Sequence, residues 1–217
     1  MLSRVADNLY WMSRYLERAE HTARLLDLNL SLLDQSQDEA NERWQWMLNS
    51  LRVAMPETSP CDVYCVTEHL TFNLRQQDSL VACITSAREN ARQVREQISE
   101  EMWERLNRLY LRAREAKMND IYAQPHEFYR PIKDGSHLFQ GITDATMNHG
   151  EGWHFIQLGR YIERAGATAT STGAKASGAT PAPRTTARST RPDIARRLRC
   201  SNRYLSMSPR QRYLIST

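Results

Sequence analysis

Nine apolar residues near the start of the chain constrain its fold more than any other feature. Val5, Leu9, Met12, Leu16, Ala19, Ala23, Leu26, Leu30 and Leu33 recur at alternating spacings of four and three. A stripe of that period, held for four repeats, is one face of a long helix that must be buried against other helices. Ser3 is the predicted N-cap, and the turn composition from Ser36 to Asn41 marks the far end. The first helix is therefore expected from about Ser3 to about Leu33.

The same reading continues along the chain. A second helix is expected from about Glu39 to Met55, with Trp44, Met47, Leu48, Leu51 and Met55 inward and Pro56 and Pro60 ending it. A brief helix is predicted from Asp62 to Leu70. Leu80, Ile84, Ala87, Ala91, Val94 and Ile98 form the next stripe, capped by Asp78 or Ser79. Ser99 is a cap or bend before a helix on Met102, Leu106, Leu109 and Ala113. Met118 to Gly135 holds Pro125, Pro131 and Gly135 and is predicted to be mostly loop. Ser136 to Met147 is read as a helix on Leu138, Ile142 and Ala145. After a break at Asn148-His149-Gly150, Glu151 to Ala165 is read as a helix on Phe155, Leu158, Ile162 and Ala165. No segment alternates with period two for long enough to make a strand. Long amphipathic helices with short connections predict an all-α, antiparallel helical bundle over residues 1–165.

At Gly166 the composition changes. Residues 166–192 use only Ala, Thr, Ser, Gly, Pro, Arg and Lys, too little apolar surface to offset ordering entropy. Residues 166–217 are accordingly predicted to be a disordered basic tail. Charge divides at the same place. The chain carries +4 overall, but residues 1–165 net −5 and residues 166–217 net +9. A pI near 9 therefore describes the tail, not the body, and no specific nucleic-acid partner follows from it. No run is long and apolar enough to span a membrane, and the N-terminus has no signal-peptide pattern, so a cytoplasmic protein is expected. Cys61 and Cys65 are spaced CxxxC, which fits neither a redox CxxC nor the usual zinc half-site, and all four cysteines are read as reduced thiols.

One short pattern occurs twice. Arg14-Tyr15-Leu16-Glu17-Arg18-Ala19, followed by Thr22-Ala23, returns 146 residues later as Arg160-Tyr161-Ile162-Glu163-Arg164-Ala165, followed by Thr168-Ala169. Agreement at five of six positions points to an internal duplication, with a first repeat over about 1–147 and the start of a second over about 148–165. Adjacent Glu17 and Arg18 point about 100° apart on a helix and do not simply pair. Glu17 reaches Arg14 at i−3 and His21 at i+4, and Arg160 and Glu163 repeat the first spacing. Two readings stand. In one, these charges form an interhelical salt-bridge lattice that fixes helix register. In the other, Arg14, Tyr15, Glu17, Arg18, Arg160, Tyr161, Glu163 and Arg164 line a binding site, its arginines clamping a carboxylate or phosphate. Any general base there would be Glu17, Glu163 or His21.

No metal or cofactor is expected. Glu151 and His154 have the Glu-x-x-His spacing of a di-iron bundle, but the set occurs once where two are needed. No Gly-rich phosphate loop, nucleophile elbow or Cys-His protease signature is present, and no catalytic residue is assigned. The five tryptophans lie in or beside helical stripes, and Trp46, off its stripe, is the one candidate surface contact.

Several blocks together resemble the alpha-E family, a bacterial helical domain named for its Glu-Arg motif and commonly duplicated in tandem. They are Met1 to Met12, Arg14 to Ala19, Ala87 to Arg92, Gln97 to Glu104 with Leu106-Asn107, Gly141 to Met147, Gly152-Trp153 and Leu158 to Ala165. The resemblance implies a non-catalytic partner or scaffold in a peptide synthesis or modification system. It implies ATP-grasp-type ligases and transglutaminase-like proteins as partners. An enzyme or a small-molecule or peptide-terminus binder built on the duplicated motif is the alternative. A truncated, partly inactive member is a further one, because family members continue past the second Glu-Arg with an Asp and an aliphatic helix. Arg outnumbers Lys 26 to 3, as in a GC-rich gene, and the break at Gly166 is read as a frameshift near that codon.

Overall fold

The computed structural model describes residues 1–31, 37–54 and 62–177. These form eight α-helices with no strand among the described residues. They are α1 (Ser3–Ser31), α2 (Gln37–Leu51), α3 (Val63–Phe72), α4 (Leu80–Gln93), α5 (Glu100–Glu115), α6 (Met118–Ala123), α7 (Pro125–Thr146) and α8 (Glu151–Ser177). Within α1, every stripe residue from Leu9 to Leu30 is buried. Leu33 lies outside the described residues. The stripe makes α1 the centre of the bundle, with α4, α7 and α8 packed along it.

The caps explain where helices start. Asp62 Oδ1 accepts from the Tyr64 and Cys65 amides, Ser79 Oγ from Ala82 N, and Ser99 Oγ from Met102 N. Ser99 thus caps α5 after a 3-10 turn at Arg95–Gln97 closes α4. All ten apolar residues expected inward from Leu80 to Ala113 are buried. On α2, Trp44, Met47 and Leu48 are buried, and Trp46 packs against the core rather than standing on the surface. The helix stops short of the expected Met55. Arg52 takes a left-handed φ of 58°, and Val53 N donates to Leu48 O at 3.0 Å, the six-to-one bond of a Schellman stop. Pro56 and Pro60 lie outside the described residues.

The region expected as loop, Met118 to Gly135, is helical. Pro125 occupies the first turn of α7, where a missing N–H has no consequence. Pro131 sits deeper and leaves the Glu127 carbonyl without its intrahelical donor. Arg112 Nη2 of α5 donates to that carbonyl at 3.3 Å instead. With the helix begun earlier, its buried face is Phe128, Tyr129, Ile132, Ser136, Phe139 and Thr143. Leu138, expected inward, is 44% exposed. Gly141 on α7 has open space where a Cβ would project. Gly141→Ala should therefore stabilise the protein by about 0.5–1 kcal/mol through backbone entropy. A urea midpoint that stays put or falls would contradict this.

Two further expectations change. α8 runs on through Gly166 to Ser177, because elongating a formed helix needs no new nucleus and Ala-rich sequence favours it. Thr168, Thr170 and Thr172 turn their hydroxyls onto carbonyls one turn back. The expected disorder of the remaining tail lies outside the described residues. Helix direction also departs from simple alternation. α7 runs antiparallel to α1, with Asp27 beside Lys133 and Glu17 beside Gln140. α8 runs parallel to α1, since the Met1 amine meets Glu151 at 2.7 Å while Arg14 meets Glu163. Antiparallel order follows from short connections, and α1 and α8 are far apart in sequence, with the six helices α2 to α7 between them. Cys83 is a free, buried thiol, whereas Cys65 is disulfide-bonded rather than reduced.

Candidate functional site

The parallel arrangement brings the two Arg-Tyr-x-Glu-Arg segments side by side. Close approach is possible because Gly159 lies directly against α1. A Cβ there would stand 2.4 Å from the Tyr10 carbonyl oxygen and 3.2 Å from Arg14 Cγ. The same 146-residue offset pairs Gly159 with Ser13, a second small residue at the contact.

Neither glutamate pairs with an arginine of its own segment, as the i−3 spacing had led one to expect. The partners are exchanged between helices. Arg14 donates to Glu163 Oε2 from Nε at 2.8 Å and Nη2 at 2.6 Å. Arg18 donates to the same carboxylate edge-on, from Nε to Oε1 at 2.7 Å and from Nη2 to Oε2 at 3.1 Å. Its Nη1 meets Asp78. In return, Arg164 Nε donates to Glu17 Oε1 at 2.5 Å, and Gln140 Nε2 to Glu17 Oε2 at 2.9 Å. Arg18 with Glu163 and Arg164 with Glu17 are reciprocal pairs under the sequence offset, the pattern of a self-complementary twofold contact.

The surroundings make the ion pairs of Glu163 strong. Arg14 is 3% exposed, and its remaining donor reaches Tyr10 Oη at 3.0 Å while the guanidinium stacks on Trp11 at 4.8 Å. Burial pushes the Glu163 carboxyl up, but the Arg18 and Arg14 guanidiniums outweigh it and hold it below the usual carboxylate range. Burial likewise works against the Arg18 charge, and Glu163 with Asp78 more than restores it, so its pKa is raised. Next to Arg18, burial pushes the Cys83 thiol up to about 12, so it stays neutral and is no nucleophile. Burial lowers the pKa of His21, and its Nε2 is buried with no hydrogen-bond partner. That nitrogen therefore makes no hydrogen bond to Glu17.

Of the eight expected site residues, five form this interlock: Arg14, Glu17, Arg18, Glu163 and Arg164. Tyr15 is half-buried, its ring 5.5 Å from that of Trp11. Tyr161 is 58% exposed beneath the Arg160 guanidinium. Arg160 joins no ion pair among the described residues and lines a small cavity instead. Asp78, Gln140 and Tyr10 are partners that sequence reasoning did not assign. Among the described residues no group of three or more His, Cys, Asp or Glu side chains could hold a metal ion, and Glu151 is paired with the N-terminal amine. No described helix is long and apolar enough to cross a membrane.

The site has a defined acid response. Glu163 has a depressed folded pKa, so its contribution is present above the unfolded value near 4.3 and is lost as pH falls through the folded one. His21 is also depressed. The unfolded chain then binds the proton more readily, and stability is lost as pH falls below about 6.5. Thermal midpoints of the wild type should therefore fall more steeply between neutral pH and pH 5 than those of His21→Leu. Parallel curves would rule out the histidine contribution.

The model of a family, Alpha-E, described as a predicted alpha-helical domain with a conserved ER motif, matches residues 1–208. The match runs on past Gly166. No curated protein and no solved structure matches the chain.

Proposed function

The chain belongs to the Alpha-E family of α-helical domains, and from that premise we propose that it is a non-catalytic partner whose Glu-Arg motif clasps its own fold. One observation carries this reading: both motif glutamates accept from arginines of the opposite motif copy. A carboxylate already accepting from guanidiniums of its own fold is poorly placed to act as a general base or to clamp a ligand. The rigid bundle would then serve as a docking body in a bacterial peptide synthesis or modification system. An ATP-grasp-type ligase or a transglutaminase-like protein is the proposed partner, on the grounds of family resemblance, and the two copies of the motif are read as a duplication.

Co-purification with the products of neighbouring genes tests this, with a stable complex expected and its absence weakening the proposal. Titration with short peptides and nucleotides should give no binding heat. Glu17→Ala separates the roles further. It should lower stability by about 1–3 kcal/mol, removing a buried acceptor from the half-buried donors of Arg164 and Gln140. A Glu17→Ala protein of unchanged stability that has lost a measured ligand would instead favour the binding-site reading. That second reading draws its support from Arg160, the motif arginine with no carboxylate among the described residues. A frameshift near codon 166 remains a proposal that the alternative reading frames would test.

A further inference from the structure

Three of the four motif arginines meet a glutamate of the other copy: Arg14, Arg18 and Arg164. The offset makes Arg160 the mate of Arg14, so Glu17 is the carboxylate that symmetry would offer it. Glu17 is already held by Arg164 and Gln140. The Arg160 Nε is buried without a partner at the wall of a cavity between α1, α7 and α8. Ser13, Glu17, Gln140, Thr143 and Gln157 supply the rest of its polar lining.

Gln157 carries the complementary unmet need. It is 7% exposed, and its Nε2 donates to Asp144 Oδ1 at 2.7 Å. Its Oε1 is buried and accepts no bond. A buried donor and a buried acceptor, each unsatisfied, therefore belong to two residues that line the same cavity. Leaving either unmet is unfavourable enough that native proteins almost always satisfy it.

We propose that this cavity is a binding site for one structural water, which accepts from Arg160 Nε and donates to Gln157 Oε1. The chemistry excludes the simpler ions. A carboxylate or chloride only accepts, leaves Gln157 Oε1 unmet and would lie beside the Glu17 carboxylate. A cation would oppose Arg160. Size points the same way, since the cavity volume of about 10 Å³ is roughly the room a single water requires. Ser13 provides a hydroxyl for a third bond, and buried waters typically make about three. In this arrangement water takes the place at the fourth arginine that a glutamate takes at the other three.

The test uses the full chain in two ways. A crystal structure that shows ordered solvent should place one water within about 2.7–3.2 Å of both atoms. In solution, the Arg160 Nε proton should show a magnetisation transfer to a long-lived water that Gln157→Leu abolishes. A dry cavity, an ion refined at the site, or Arg160 turned out onto a carboxylate would each overturn the proposal. So would a solution signal that Gln157→Leu leaves unchanged.

Discussion

Replacing Glu163 with alanine should lower the unfolding free energy by about 3–5 kcal/mol, because it leaves buried cations uncompensated. Glu163 accepts from two guanidiniums, and the Arg14 side chain is 4% exposed and that of Arg18 18%. Arg18 keeps Asp78, but Arg14 has no second carboxylate among the described residues, and its guanidinium otherwise meets the Tyr10 hydroxyl and the ring faces of Tyr10 and Trp11. Glu163→Gln preserves shape and one acceptor, so it should cost less than the alanine. Urea unfolding followed by circular dichroism measures both. A loss under about 1 kcal/mol for Glu163→Ala would place the interlock with exposed surface pairs. The expected rescue is Arg14→Met added to Glu163→Leu, since a well-packed apolar pair often replaces a buried ion pair without loss.

Gly159→Val should cost about 1–3 kcal/mol by overpacking, and it acts at a different link, the separation of two helices. The new Cβ would strike the Tyr10 carbonyl oxygen at 2.4 Å, and a backbone atom cannot rotate aside. α1 and α8 would have to part, which lengthens the Arg14 and Arg18 bonds to Glu163 as well. Gly135 provides the control. Its Cβ would meet Leu109 Cδ2 at 2.5 Å, but a leucine tip can change rotamer, so Gly135→Ala should be milder than Gly159→Ala. Equal thermal midpoints for those two alanine variants would contradict the close contact of α1 with α8.

Much of the core was legible because its periodicity is uninterrupted. The stripe from Leu9 to Leu30 and that from Leu80 to Ile98 are buried throughout. Reading failed where a local rule was overridden from a distance. Pro131 argued for a loop, and no local pattern shows that Arg112 of α5 takes over the freed Glu127 carbonyl. That misreading also hid the register of α7, and with it the placement of Gln140 beside Glu17. On α8 the expected stripe put Leu158 inward, yet it is 48% exposed. The inward face instead carries Ile156 together with Gly159 and Glu163, and the last two serve close approach and charge rather than apolar area.

The candidate site was legible as a repeated hexapeptide but not as an exchange of partners. Sequence spacing favours Arg14 with Glu17, three residues apart on one helix. Choosing Glu163 instead requires knowing that α1 and α8 lie parallel with Met1 near Glu151. Ser13 and Gly159, one residue before each Arg-Tyr, were a usable signal of that contact, since small residues at matched positions let helices approach.

Through these ion pairs the Glu-Arg motif holds α1 against α8. A double-mutant cycle on Arg14 and Glu163 tests it most directly, with stability measured for Arg14→Met, Glu163→Ala and the pair. The two residues share a hydrogen-bonded contact 149 positions apart in sequence. The loss in the double variant should fall short of the summed single losses by about 1–3 kcal/mol, the coupling of a buried, doubly hydrogen-bonded pair. Losses that add within about 0.3 kcal/mol would show that the two residues act independently, and the interlock would not hold the fold.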